Sequence, residues 1–473
     1  MTKPRHARPF STATAVLAAA VLFAPLASAP AAFAASAGDD FGFHEPGARA
    51  AALGGAFTAR SDEVSTMFYN PAGLAFLGGI RLKTNVVSGR RNLTASWPDA
   101  DRVYRSRELD LQGSFAVSWQ PIKRITLGAG YSTPWSYDSL WTPAWSGHTL
   151  CNLSLFTAGS LSVNAAIELF KGFAVGGGYR FVTSNLEWQH NLYWNLPNYP
   201  VSEDVLVESA HALSGKGGGF TAGVMWKIVP AVSIGASYRE SVAVAYEGRN
   251  AFNTRSLYYD SVPLPSGGYT FLENLIPWFF VDQDVTAQLT LPREIACGVA
   301  LAPLERLSLS VDLKWTRWSE FGDWTMASVN ENEDLSSIWT QTYVDFYGVA
   351  TEYGVQGVPL GLADTRAVKA GLEYLVTPHI ALRGGYARHR SSVGEANRTP
   401  VYPDLDRSVF SFGFGYEGPL FSIWGDGERV SDLSFDLYVR YAAAAAGPST
   451  LPGYEMTYDS SRVVFGLGAG FSF

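Results

Sequence analysis

From Val463 to the end of the chain, apolar side chains fall on alternate residues: Val463, Phe465, Leu467, Ala469, Phe471 and Phe473. Gly466, Gly468, Gly470 and Ser472 fill the positions between them. A period of two over this length means a strand with one apolar face and one small or polar face. The pattern returns in Leu433, Phe435, Leu437, Val439 and Tyr441 against Ser434, Asp436, Tyr438 and Arg440. It returns again in Leu307, Leu309, Val311, Leu313 and Trp315 against Ser308, Ser310, Asp312, Lys314 and Thr316, and in Phe410, Phe412, Phe414 and Tyr416 against Ser411, Gly413 and Gly415. A soluble sandwich also alternates, but its second face meets bulk water and is more heavily charged. Here that face is Gly, Ser and scattered residues able to pair, such as Lys369, Glu373 and Arg383, which suits a filled polar lumen. Only 16% of the 473 residues are charged, and past Ala37 no run of 18 or more apolar residues could make a membrane helix. The fold class predicted is all-β: a transmembrane antiparallel β-barrel.

Turns carrying proline join many of the strands: Pro121-Ile122-Lys123, Val229-Pro230-Ala231, Pro303-Leu304-Glu305-Arg306 and Thr377-Pro378-His379. The other connections are long, roughly 137–156, 191–213, 250–283, 319–364, 392–406 and 443–459. Short turns at one end and long loops at the other are the asymmetry of outer-membrane barrels. About fourteen strands fit between residues 80 and 473, an even number that puts both ends of the wall on the periplasmic side.

Lys3, Arg5 and Arg8 precede an apolar stretch and a small-residue zone, which predicts a signal peptide over residues 1–37, cleaved after Ala34 or Ala37. The mature chain would carry about three positive charges fewer than the −8 of the whole, so a basic nucleic-acid footprint is absent. Of the two cysteines, Cys297 falls on an apolar face with Ile295, Val299 and Leu301, as a lipid-facing hydrophobe. His44, His148, His190, His211, His379 and His389 show no metal-ligand spacing, and neither a zinc-protease helix, a nucleophile elbow nor a phosphate loop is present. The chain is therefore read as no enzyme, with no metal and no cofactor.

Residues 38–79 break the alternation. They are rich in small residues and turn formers, which suit a compact segment packed inside a lumen, or alternatively a loose periplasmic tail. Asn70-Pro71-Ala72-Gly73-Leu74, preceded by Gly54-Gly55-Ala56-Phe57, resembles the hatch segment of the FadL family, outer-membrane transporters of long-chain fatty acids and related hydrophobic compounds. Further landmarks follow in family order: Leu291-Pro292, Trp318-Ser319-Glu320-Phe321, Asp364-Thr365-Arg366, Leu382-Arg383-Gly384-Gly385-Tyr386 and Pro403-Asp404-Leu405-Asp406-Arg407. The resemblance implies a fourteen-stranded barrel over 80–473 plugged by a hatch over 38–79. Asn70, Pro71 and Ala72 would then be structural and gating residues.

The family also has an inward kink of its third strand, touched by the hatch, through which substrate leaves sideways into the bilayer. Gly128, Gly130, Ser132 and Pro134 are the candidates for that opening, since proline cannot donate to a ladder and glycine permits a bulge. Alternatively Pro134 ends the strand at the outer rim. Two long loops carry apolar side chains that a general porin would not: Leu192, Trp194 and Leu196, and Phe271, Leu272, Leu275, Ile276, Trp278, Phe279 and Phe280. They form either the core of a lid or an exposed groove. The resemblance places a ligand-capture groove there, with Arg249 and Arg255 as candidate donors to a ligand carboxylate.

The function expected is passive uptake of hydrophobic small molecules, foremost long-chain fatty acids, by loop capture, an internal apolar pocket and lateral exit near the third strand. The partners expected are that ligand and the lipid and lipopolysaccharide of the outer membrane, with the protein a monomer. The alternatives are an aromatic-hydrocarbon channel of the same family and a general porin or adhesin.

Overall fold

The computed structural model describes residues 44–97, 103–141, 145–194, 205–254, 261–263, 269–271, 282–329, 355–421, 429–452 and 454–473. Fourteen antiparallel strands form its wall. They are β1 Ile80–Ser96, β2 Val103–Ile122, β3 Ile125–Leu140, β4 Leu153–Phe170, β5 Phe173–Trp194 and β6 Val205–Val229. Four interrupted strands follow: β7 Val232–Arg239 resumed as Val242–Thr254, β8 Gln283–Leu291 resumed as Glu294–Leu304, β9 Leu307–Thr316 resumed as Trp324–Ser328, and β10 Val355–Val358 resumed as Thr365–Leu375. The last are β11 Ile380–His389, β12 Arg407–Phe421, β13 Arg429–Ala444 and β14 Thr457–Ser472. β14 pairs with β1 from Arg81↔Ser472 to Ser96↔Thr457, which closes the barrel.

Several strands reach well into stretches expected to be loops; β6 starts at Val205 rather than near 214, and runs for 25 residues. A tilted strand needs only about 9–11 residues to cross a bilayer, so the wall projects far beyond the lipid. Its two halves are built on opposite rules. In the half next to the short turns, apolar groups face out: on β8, Ile295 and Val299 are exposed while Glu294 and Gly298 are buried, and Cys297 is exposed as expected. Beyond the break at Pro292 and Arg293 the sides exchange, with Leu289 and Leu291 buried and Gln288 and Asp284 exposed. β7 does the same at Glu240 and Ser241: Tyr238 points out below it, whereas Val242, Val244 and Tyr246 point in above it. An apolar exterior belongs in lipid and a polar exterior in water, so the line of breaks across β7 to β10 marks the outer surface of the membrane.

The projecting half consequently has an ordinary apolar core. Trp135, Tyr137, Trp141, Trp145, Phe156, Trp188, Tyr246, Phe321, Trp324, Tyr402 and Tyr458 belong to one buried cluster inside it. Trp141 and Trp145 stack with centroids 4.5 Å apart, and Tyr137 meets Tyr402 edge to face at 4.8 Å. Many aromatics expected on the lipid face or in loops are thus the ceiling of the lumen.

The N-terminal segment fills the lumen beneath that ceiling. It contains the short helix α1, Ala48–Ala52, and two 3-10 turns, Val64–Phe68 and Pro71–Phe76. α1 lies against β11 to β14, and the second turn against β3 to β6. Wall glycines let backbone meet backbone: a Cβ on Gly385 would stand 2.1 Å from the Gly54 amide nitrogen, and one on Gly176 would stand 2.6 Å from that of Ala72. The segment leaves the barrel at the short-turn end, where Gly79 accepts from the Gln120 amide and Ile80 bonds Phe473.

Candidate functional site

Asn70 is fully buried and ties three parts of the structure together. Its Nδ2 donates to the carbonyls of Thr58 and Val224, both at 2.9 Å, and its Oδ1 accepts from the Ala72 amide at 3.1 Å, capping the turn that begins at Pro71. Pro71 has no N–H to lose at that first position. Gly223 and Gly235 of the wall make room, since a Cβ on Gly223 would lie 2.0 Å from Asn70 Oδ1. Asn70→Ala would strand two buried carbonyls and remove the cap, and should lower stability by about 2–4 kcal/mol. Thermal unfolding in one detergent would measure this, and an unchanged midpoint would show that the amide is dispensable.

Charges anchor the rest of the hatch. Glu373 on β10 accepts from Arg49 at 2.7 and 2.9 Å, from Arg60 at 2.8 Å and from Arg383 at 2.6 Å. Lys83 bridges Glu63 of the hatch, at 3.2 Å, and Asp436 of β13. Asp312 on β9 accepts the Phe57 and Thr58 amides at 2.8 and 2.7 Å, and Lys369 pairs with Glu45. Burial pushes the Glu45 carboxyl up, but Lys369 and Arg440 outweigh it and hold the group below the usual carboxylate range, so it remains ionised.

The third strand is irregular in the expected region, although not at the expected glycines. Gly128 and Gly130 lie in intact ladder, opposite Ser118 and Ala116 on β2 and Asn164 and Ser162 on β4. Their missing side chains admit the hatch instead, with Leu74 2.9 Å from a Cβ on Gly128 and Phe68 2.8 Å from one on Gly130. The ladder between β2 and β3 runs outward only as far as Phe115↔Tyr131. β2 continues outward paired with β1, and β3 continues paired with β4 through a bulge that skips Thr133 and Pro134 between Ser132 and Trp135. Pro134 therefore interrupts the strand and does not end it at the rim. From Ser132 to Ser139 no residue is exposed, so this part of β3 has turned inward and is covered on both sides.

Across the unladdered seam a buried side chain bridges the two strands. Gln112 of β2 accepts from Thr133 Oγ1 at 2.9 Å and donates to Ser136 Oγ at 2.6 Å. Gln112→Ala should loosen the seam and speed amide exchange over residues 132–139 by at least about fivefold, the equivalent of one net hydrogen bond. Equal exchange rates would assign the closure to packing alone.

Below the aromatic ceiling lies a narrow chamber of about 60 Å³, room for a few waters in the fold as it stands. It is lined by hatch residues including Glu45, Met67, Phe68 and Tyr69, by Ser132 and Pro134 of the kink, and by Ser160, Asn164, Arg180, Arg239, Glu294, Asp312, Lys314 and Lys369 of the wall. This is not the apolar pocket expected, because below the breaks the inward faces are polar. Its cations are mostly matched: Glu294 takes Arg239 at 2.7 Å and Lys314 at 2.5 Å. Arg180 stands apart. One Nη donates to the Glu240 carbonyl at 2.8 Å and its guanidinium lies 5.4 Å over the Trp135 ring, while its Nε is buried with no partner among the described residues. Ser160 Oγ and Asn164 Nδ2, also lining the chamber, are buried without partners too.

The sequence model of outer-membrane protein transport proteins of the OMPP1/FadL/TodX type matches residues 27–473. The chain belongs to the FadL/TodX family. It is accordingly an outer-membrane transporter of hydrophobic compounds and no enzyme. Solved structures agree on the fold. A Pseudomonas aeruginosa FadL homologue superposes with a TM-score of 0.73 at 18% identity, covering 90% of this chain and 98% of its own. The P. putida toluene transporter TodX gives 0.66 at 15%, with 92% and 99% covered, and the Ralstonia pickettii toluene transporter TbuX gives 0.61 at 17%, with 91% and 99% covered. No curated protein matches the chain by sequence.

Of the loop candidates, Leu196, Leu272, Leu275, Ile276, Trp278, Phe279 and Phe280 lie outside the described residues, as does Arg255. Leu192 and Trp194 belong to β5 and Phe271 to a small hairpin, their side chains being outside the description. Arg249 is exposed and pairs with Asp282 at 3.4 Å. The proposed leader also lies outside the described residues. Arg180, Asn164, Ser160 and Gln112 were not singled out in the sequence; the one local signal was an arginine at position 180 on an otherwise small or apolar inward face.

Proposed function

We propose that this FadL/TodX-family chain takes up long-chain fatty acids, with the hatch as plug and the β2–β3 seam as lateral exit. The observation that carries the choice of ligand is Arg180. An arene needs only an apolar site, whereas a fatty acid needs one as well as a donor for its carboxylate. Arg180 supplies that donor at the boundary where the aromatic ceiling, through Trp135, meets the polar chamber. Its unpartnered Nε, with Asn164 Nδ2 and Ser160 Oγ, offers three donors that water or a ligand oxygen must satisfy. An acyl tail would lie upward among the apolar residues of the projecting half.

From that position the kink of β3 gives a short way out, because Ser132 and Pro134 line the chamber and the same segment borders the seam bridged by Gln112. The related toluene transporters keep an arene channel as the second reading. Export through a cleaved leader over 1–37 and a monomeric barrel complete the proposal. The test is to bind a fluorescent fatty acid to the purified barrel and to displace it with oleate and with toluene. Displacement by oleate alone at low concentration supports the reading; displacement by toluene alone replaces it with the second.

A further inference from the structure

We propose that the outer wall across β8 to β11 is a docking ledge for a phosphorylated lipid of the outer leaflet. Five arginines gather there at one level. Arg293 sits in the break of β8 and accepts, through its carbonyl, the amide of Arg317 at 3.1 Å, which fixes those two side by side. Arg366 on β10 is opposite Trp315, two residues before Arg317 on β9. β11 carries Arg388 opposite Val368, and the register Ala367↔His389, continued by one residue, brings Arg390 opposite Arg366. Four consecutive strands thus each put arginine at the outer margin of the lipid-facing band. That band is visible below them in Val311, Leu372, Leu382 and Tyr386, all exposed. Followed along the ladders from Arg388, the neighbouring strands carry Ser408 on β12, Ala443 on β13, Ser461 on β14 and Asn92 on β1, none of them charged.

The charges on the ledge do not cancel. Arg293 pairs with Glu320 at 2.8 Å, Arg317 with Glu320 at 3.6 Å and Asp364 at 3.7 Å, and Arg388 with Asp406 at 3.1 Å. Arg366 and Arg390 are exposed, stand one residue beyond the last paired residues of the ladder, and have no acidic partner among the described residues. Like charges in that relation repel, and an anion between them reverses the sign of the interaction. Guanidinium forks match phosphate geometry, and at the headgroup level of the bilayer the available phosphate is attached to acyl chains. A lipid bound there lays its chains along the exposed apolar band and its phosphate between Arg366 and Arg390. The ledge is separate from the luminal route and stands whether or not a fatty acid is the transported solute.

The experiment uses the full barrel, delipidated and incubated with hexa-acyl lipid A bearing two phosphates, with retention read by native mass spectrometry. Arg366→Gln combined with Arg390→Gln should weaken retention by about thirtyfold, from roughly 1 kcal/mol for each arginine near a phosphate surface. Lysine at both positions should fall between parent and glutamine variant, because charge remains while the fork is lost. Arg90→Gln, an exposed arginine on β1, controls for net charge and should leave retention unchanged. Heat-modified mobility on gels confirms that each variant is folded. The proposal is overturned if the double glutamine variant holds lipid A as tightly as the parent, if Arg90→Gln weakens it equally, or if dephosphorylated lipid A is retained as well.

Discussion

Glu373→Ala should unseat the hatch. Three arginines converge on this one buried carboxylate, two from the hatch and one from the wall, and alanine would leave all three buried without it. Removing one partner from a buried charge cluster costs about 3–5 kcal/mol, of which desolvated, unmatched charge is the largest part. Arg383 keeps Asp436 and Arg60 keeps Asp62, so the wall survives better than the plug, and α1 loses its main polar tether. Two measurements follow: a lower unfolding midpoint, and a rise in single-channel conductance in planar bilayers as water and ions enter the vacated lumen. Glu373→Gln, which keeps the shape and loses the charge, should fall between. A barrel with parental conductance and midpoint would show that the glycine-lined backbone contacts hold the hatch unaided.

The second large effect concerns ligand choice. Arg180→Gln should weaken oleate binding by about tenfold to a hundredfold, the range set by one hydrogen bond to a charged group, and leave toluene binding unchanged. Because Arg180 also lies over Trp135, Arg180→Lys is the informative companion: it keeps a cation while losing the planar stack. Loss of both ligands in Arg180→Gln would mean that the residue shapes the kink and does not meet the carboxylate. Loss of neither would place the head group elsewhere.

The half of the barrel in lipid was legible because the bilayer forces one outcome. Every outward side chain from Val368 to Tyr374 on β10 or from Leu433 to Tyr441 on β13 must tolerate hydrocarbon, so period two shows plainly. The projecting half was not legible in the same way. Val242, Val244 and Tyr246 alternate as cleanly as Val232 to Tyr238, but a two-residue interruption swaps the face they occupy, and alternation alone does not say which side holds water. For the same reason the true start of β6 was read as loop.

Asn70 to Ala72 stand out in the sequence because they are contiguous and resemble a family motif. Arg180, Asn164 and Ser160 come from β5 and β4 and meet only in space around the chamber, while Gln112 of β2 reaches Thr133 and Ser136 of β3. The four residues expected near a lateral opening fall in two different settings. Ser132 and Pro134 are at the disruption, while Gly128 and Gly130 serve to seat Leu74 and Phe68.

The exchange of faces along β7 and β8 also divides the sources of stability. The lipid-embedded half owes its apolar exterior to whatever amphiphile surrounds it, so its unfolding free energy shifts with chain length and headgroup. The projecting half hides Trp135, Trp141, Trp145 and Trp324 within itself and draws on water alone, as any soluble domain does. One continuous set of strands is therefore governed by two solvents, and the ladder between β2 and β3 reaches outward only to Phe115↔Tyr131.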